Sequence, residues 1–322
     1  MIVNPVLSKE IPLPAVRIGA SGVAPAKTIL FGEHAVVYGE PGIAIPLWEI
    51  QTSARLLPFP TDDTAQEFRI VSESAELDAA FSDLSESNPL KKLIRLIQEA
   101  FSIPVLPDCI LEIQSAIPIA SGLGSGAAAS VAIIRAFAAA YGLELSDEKT
   151  SELAFEIEKC YHGMPSGLDN TTISFGKPLF FRKGKGFEPI HLPDRLRLIV
   201  ADSGLKSVTS EVVADVRASY HQFAPVIREI GQLVRKARTA LENGDLFATG
   251  ALMNENHRLL QKMTVSNEKL DDLAAVALQN GAIGAKLTGA GRGGNLLALA
   301  ETAPDTLRIH NALEKAGARI IR

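Results

Sequence analysis

Of the 322 residues only two are cysteine, Cys109 and Cys160. Two thiols are too few for a disulfide framework or a thiolate metal site, so a reducing compartment is expected. Nor is there an excess of positive charge: 32 Lys and Arg stand against 37 Asp and Glu, a net charge of −5. A protein built chiefly for nucleic acid carries a basic excess or stripe, and this chain has neither. The opening MIVNPVLSKEIPLPAV has no basic segment followed by an apolar one, so no signal peptide is expected. One uncharged run, Ile113 to Ile134, has the length of a membrane span. It contains Pro118, Gly122, Gly124, Gly126, Gln114 and four serines, and reads instead as strand, glycine loop and helix start. Internal repeats and low-complexity stretches are also missing. A soluble, cytoplasmic protein with no membrane and no nucleic-acid partner is expected.

What is present is an ordinary globular composition, 47% hydrophobic and 21% charged. The length suggests about two domains, with enough chain to bury a core without staples. Strands are expected at 16–20 and 28–31 around a turn, at 43–46, at 51–57 and at 109–114. Helical periodicity covers 90–101. From Ala127 to Ala140 the one charge is Arg135, so a helix there must be buried on nearly all sides. Ser146 is a candidate N-cap for the next helix. The polar stretch Arg182-Lys183-Gly184-Lys185-Gly186 is the expected divider between halves. Beyond it come a strand at 196–201, helices near 207–221, 224–242, 245–261 and 268–280, strands at 285–288 and 296–299, then a last helix and strand. Strands and helices do not alternate strictly enough for a doubly wound sheet, so the class is α+β in two halves.

Four segments carry the chemistry. In Pro118-Ile119-Ala120-Ser121-Gly122-Leu123-Gly124-Ser125-Gly126, glycines follow a strand and open a buried helix. Such a loop fits either a triphosphate cradle, with helix N–H groups facing the anion, or a close-packed strand-to-helix turn. It is not a Walker A loop, since no Lys-Ser/Thr pair follows the last glycine. Gly289-Ala290-Gly291-Arg292-Gly293-Gly294 matches G-x-G-x-x-G, yet a strand follows where a dinucleotide site needs a helix. A nicotinamide oxidoreductase is therefore set aside, leaving a glycine turn pressed on a ligand or loop, or a plain hairpin. In Pro25 to Gly39, Lys27 stands at the mouth of an apolar strand and Glu33-His34 just past its end. Finally, Glu158 and Asp169 place two carboxylates eleven residues apart around a Gly-x-Pro-Ser-Gly loop. Phosphoryl transfer needs an oxygen ligand for Mg²⁺ and an acceptor for the nucleophile's proton, and two such carboxylates suffice.

Taken together these segments resemble the GHMP kinase superfamily, and within it the mevalonate kinase family, from about residue 15 to 300. PAKTILFGEHAVVYG resembles that family's N-terminal motif, and IPIASGLGSGAA its phosphate loop. HGMPSGLDN resembles its HGxPSGxDN segment and KLTGAGRGGN its C-terminal KxTGAGxGG motif. MNENHRLLQKMTVSNEKLD resembles the helix and loop between the last two. The resemblance implies a two-domain α+β GHMP kinase fold, with a ribosomal-S5-like N-terminal domain over 1–187 and a ferredoxin-like C-terminal domain over 188–322. It implies ATP-dependent phosphorylation of the C5 hydroxyl of mevalonate in isoprenoid biosynthesis. Asp169 falls on the general base, Lys27 on the lysine that contacts the phosphates and the base, and Glu158 on the Mg²⁺ ligand. Ala120, Ser121, Gly122, Leu123, Gly124, Ser125 and Gly126 fall on the ATP phosphate loop, Glu33 and His34 near mevalonate, and Gly289 to Gly294 on a buttress for that loop. The expected partners are mevalonate and ATP, with a homodimer left open as the assembly.

Two departures stand out. Where the family's loop ends in two serines, this chain has Ser125-Gly126, so Mg²⁺ rests on Glu158, ATP oxygens and water, or Ser125 shifts to serve. Arg292, at a usual glycine, either adds positive charge near the cleft or points to solvent. The competing readings are a kinase for a neighbouring acid (phosphomevalonate, or mevalonate at its 3-hydroxyl) and a non-catalytic sensor on the same fold. Intact Lys27, Glu158 and Asp169 argue against the sensor.

Overall fold

Prolines decide how the first sheet is laid out. The computed structural model describes residues 16–60, 67–119, 121–162 and 165–322. Strand β1 (Ser21–Phe31) carries Pro25, and β2 (Pro41–Leu57) carries Pro46. Pro lacks the ladder N–H, so it belongs on edges or at bulges. Accordingly β1 pairs with β2 alone, and their register shifts between Pro25 and Ala26. The two short runs expected at 43–46 and 51–57 are thus one strand, the run expected at 28–31 is the end of β1, and 16–20 is not a strand but a turn. Its backbone is held by Arg17 N–H to Ala140 O and Gly19 N–H to Leu56 O.

After β2 come β3 (Arg69–Ser72), β4 (Leu77–Ala80), α1 (Pro89–Phe101), β5 (Ile110–Ser115), α2 (Ser125–Ala140), α3 (Asp147–His162) and α4 (Leu168–Phe175). The first sheet closes with β6 (Leu179–Arg182) and β7 (Gly186–Pro189), in the order β4-β3-β5-β2-β6-β7 with β1 on β2. The expected divider at 182–186 is the turn of the β6–β7 hairpin, and the chain leaves this sheet over 190–196. Helix α2 packs against β1 and β2 and is buried on nearly every side, as its composition predicts. Its one charge, Arg135, ties it to three neighbours: Val23 O at 2.9 Å, Ser174 O at 2.6 Å and Asp147 at 3.1 Å.

The remaining elements are β8 (Arg197–Asp202), α5 (Thr209–Ala218), α6 (Tyr220–Glu242), α7 (Leu246–Lys262), α8 (Glu268–Gln279), β9 (Ala282–Thr288), β10 (Asn295–Ala300), α9 (Ala303–Lys315) and β11 (Arg319–Ile320). Their sheet has the order β11-β8-β10-β9. A local core lies under it, where Leu273, Ala277, Ile309 and Leu313 meet Ile199, Leu296 and Ala298. The opposite face contributes Val200, Leu287, Leu297 and Leu299 to the large core that also holds Ile43, Val131 and Ile230. The two sheets therefore share a hydrophobic core. Burying an aliphatic side chain of this kind contributes about 1.5–3 kcal/mol. Among the described residues no helix is long and apolar enough to cross a membrane.

Candidate active site

Strand β1 brings Lys27 to the start of α2. Lys27 is 3% exposed, and its Nζ lies 2.8 Å from Asp169 Oδ2, whose side chain is 29% exposed. Asp169 sits in the first turn of α4, where the helix dipole favours a negative charge. Its neighbour Asn170 is anchored instead, donating to Ser151 O at 3.0 Å and Ser151 Oγ at 2.9 Å. Glu158, buried on α3, faces the same pair. Its carboxyl is pushed up to about 7, first by burial and then by the charge of Asp169, with Lys27 pulling the other way. Three of the residues singled out in the sequence thus form one electrostatic unit.

The glycine loop wraps the lysine. Lys27 N–H donates to Leu123 O at 3.0 Å, and Leu123 is buried. Gly124 is the residue before α2 and has φ 79. A Cβ there would stand 2.9 Å from Ile173 Cδ1 and 3.0 Å from Lys27 Cγ, so only glycine lets the lysine stem pass. With glycine before it, α2 has no side-chain cap for the backbone N–H groups of its first turn. Ser125 is the first residue of that turn. Ala120, and Gly163 and Met164 of the Gly-x-Pro-Ser-Gly segment, lie outside the described residues.

The second glycine segment, 289–294, joins the antiparallel strands β9 and β10 as a strand–turn–strand. It lies directly on the first glycine loop: a Cβ on Gly294 would be 3.5 Å from Ser121 O. Asn295 Nδ2 donates to that same carbonyl at 2.5 Å. On its other side a Cβ on Gly291 would fall 1.9 Å from Val265 O, which no side chain survives. Arg292 neither points freely to solvent nor reaches the Lys27 pair. At φ 54 it donates through Nε to Thr264 O at 3.1 Å and through Nη1 to Asp215 on α5 at 2.5 Å.

Glu33 and His34 lie just past the C-terminal end of β1. His34 Nε2–H donates to Ala290 O at 2.9 Å; a carbonyl can only accept, which fixes the neutral tautomer. Burial, assisted by the charge of Arg292, keeps His34 below the usual histidine range. Glu33 is wholly buried and ion-paired with Lys286 of β9, and Asn256 Nδ2 of α7 donates to its other oxygen at 3.3 Å. The structure therefore turns Glu33 towards the second sheet rather than towards Asp169.

Several residues of this site escape a local reading. Asn254 and His257 of α7 cap the free edge of β9, accepting from Ala285 N–H at 2.8 Å and Leu287 N–H at 3.2 Å. Thr288 Oγ1 takes Ile29 N–H at 3.2 Å, returns a bond to Ile29 O at 2.8 Å and meets Thr28 Oγ1 at 3.0 Å. The available signals were a lysine inside the apolar run AIGAKLT and the polar cluster Asn-Glu-Asn-His on a helix with an apolar face.

The chain is similar to known proteins. The family model described as the GHMP kinases N-terminal domain matches residues 88–177, and that of the GHMP kinases C-terminal region matches 237–319. The chain is 38% identical over 297 residues to a mevalonate kinase of Pyrococcus horikoshii, covering 86% of this chain and 87% of that one. The crystal structure of L. major mevalonate kinase with R-mevalonate superposes with TM-score 0.78 at 30% identity, over 94% of both chains. Mevalonate kinase of Methanococcus jannaschii superposes with TM-score 0.81 at 27% identity, over 94% of this chain and 97% of that one. The fold is the two-domain GHMP kinase fold.

Proposed function

This chain belongs to the mevalonate kinase family of the GHMP kinases, and on that premise we propose that it transfers the γ-phosphoryl group of ATP to the C5 hydroxyl of (R)-mevalonate. The observation that carries the reading is the 2.8 Å Lys27–Asp169 pair beside the uncapped start of α2. In this reading the phosphates of ATP lie along 120–126, against the backbone N–H groups of the helix start. Asp169, partly exposed, takes the C5 hydroxyl proton. The new bond joins that oxygen to the γ-phosphorus, and the bond to the β,γ-bridging oxygen breaks to release ADP. Lys27 orients the base and balances charge spread over the transferred group, the kind of positioning and electrostatic work on which phosphoryl transfer depends. His34 lines the mevalonate side, with Glu33 in the layer behind it.

The residues present suit Mg²⁺. Glu158 is a buried carboxyl crowded by the charge of Asp169, a setting that an adjacent cation relieves. No cluster of three or more His, Cys, Asp or Glu forms a cage among the described residues. That pattern suits an ion held by one or two protein oxygens, with phosphates and water completing the shell. Glu158 and the Ser125 hydroxyl would hold it, Gly126 having no hydroxyl to offer. When bound, the ion supplies neutralising charge at the phosphates. Residues 1–187 and 188–322 serve as the two domains of this reading, the boundary falling on β7 just before the handover at 190–196. A cytoplasmic location belongs to the same proposal.

The test is an ADP-release assay with MgATP over mevalonate, phosphomevalonate, homoserine and galactose. Turnover on mevalonate, with the 5-phosphate identified by phosphorus NMR, is the expected outcome. Turnover on another acceptor alone would keep the Lys27–Asp169 chemistry and remove the substrate. Silence on all four would favour the sensor.

A further inference from the structure

The turn that follows β1 is strained. His34 has φ 60 and ψ −45, and the N–H of Ala35 donates to the carbonyl of Glu33 at 2.6 Å. Those angles and that i to i+2 bond define a γ-turn of the rare positive-φ hand, centred on a non-glycine residue. Such a conformation persists only where its surroundings over-determine it, and it is found disproportionately at functional sites. Here the surroundings come from the second sheet and its helices. Ala290 holds the His34 ring. Lys286, with no exposed surface, grips one oxygen of Glu33 and also donates to Leu287 O at 2.6 Å. Asn256, equally buried, holds the other oxygen. The strained centre and the residue before it are thus both tied across the boundary between the sheets.

Stability alone is a poor account of this cluster. Taking two charges out of water costs about as much as their attraction returns, and an apolar pair of similar volume often serves as well. What an ion pair adds is direction: a carboxylate fixed at both oxygens cannot rotate, and the peptide it belongs to is fixed with it.

We propose that Glu33, Lys286 and Asn256 are positioning residues, a buried tether that holds the His34 turn in its strained form and so sets the acceptor-binding wall of the cleft. None of the three touches the reacting atoms; they act through His34. The proposal rests on reading the cleft as a kinase site, and deepens it.

The test is the double variant Glu33→Gln/Lys286→Met, which removes both charges, keeps the volume and leaves no charge buried alone. We expect it to fold with an unchanged melting midpoint. Its kcat/KM for mevalonate falls about a hundredfold, the scale of a misplacement near 1 Å, while KM for MgATP stays within about twofold. In nitrogen-proton NMR the His34 Nε2–H signal, protected in the wild-type protein by Ala290, is lost to exchange. Wild-type kinetics, or mevalonate and ATP parameters falling together with the folded fraction, would overturn the proposal. So would survival of the His34 signal in the folded double variant. Should the double variant not fold, Asn256→Ala removes a single neutral donor. It should raise KM for mevalonate about threefold with KM for ATP unmoved, and no change there would equally overturn the tether. Failure of the substrate assignment is separable: if wild type uses another acceptor, the same split is read on that acceptor, and the NMR signal needs no turnover.

Discussion

Two lysine–carboxylate pairs, one within β1 and one just past its C-terminal end, differ chiefly in their access to water. In the first Lys27 is buried while Asp169 keeps 29% of its side-chain surface exposed. In the second, at the end of the strand, Glu33 and Lys286 have none. On the proposed reading the same chemical partnership is built once as a working group and once as a fixture. A carboxylate that water and substrate can reach is able to exchange a proton. One sealed between β9, α7 and its own turn can only hold position. Exposure, more than residue type, separates the two roles.

The largest effect should come from Asp169→Asn. The amide keeps the shape and an acceptor for Lys27 but cannot take a proton, so kcat should fall by roughly 10²–10⁴. The melting midpoint and MgADP affinity by calorimetry should stay near wild type; normal turnover would remove Asp169 from the role of base. At the sealed end the loss appears in stability. Lys286→Met leaves the Glu33 carboxylate alone in a dry site, where an unpaired charge costs about 3–5 kcal/mol. Urea denaturation reads that loss directly. A loss under about 1 kcal/mol, the size typical of exposed pairs, would show that water reaches Glu33 and would erase the contrast.

Legibility in the sequence followed the same division. Lys27, Asp169 and the 120–126 loop stand in short motifs whose chemistry is local: a glycine run, a helix start, a charge at a strand end. The buried helix over 127–140 could be read because one charge in such a length leaves it no exposed face. Glu33 and Lys286 are 253 residues apart, so no window contains both, and Lys286 reads as one letter of an apolar strand. Helix α4 was hidden because Leu168–Phe175 is only eight residues long and rich in β-branched Thr171, Thr172 and Ile173, which favour strands. Strand β1 begins well before the run expected at 28–31, because Pro25 does not read as strand until its edge position and bulge are known. The run at 182–186 looks like a linker because a hairpin turn uses the same glycines and lysines.

The smallest effect to measure concerns pH at the sealed end. His257 on α7 accepts Leu287 N–H at Nδ1, next to Lys286 in β9. Burial, with a smaller push from Lys286, holds its ring below the usual 6.5, although Asp271, 3.1 Å from Nε2, pulls it back up. His34 is lowered as well, again chiefly by burial. Once unfolded, both rings take up protons as pH falls through about 6.5, and the folded protein resists until lower pH. At these two rings the unfolded state therefore binds more protons in that interval, so their contribution is full above it and declines as pH falls through it, while Glu158, raised to about 7, works the other way. His257→Asn keeps an acceptor for Leu287 N–H and removes one of the two titrations. Between pH 7.5 and 5.5 the Glu158 contribution is common to both proteins, so the urea midpoint of the wild-type protein should drop relative to that of the variant. An equal change in both would place the acid sensitivity elsewhere than beside the tether, and the sealed end would then be no more sensitive to acid than the open one.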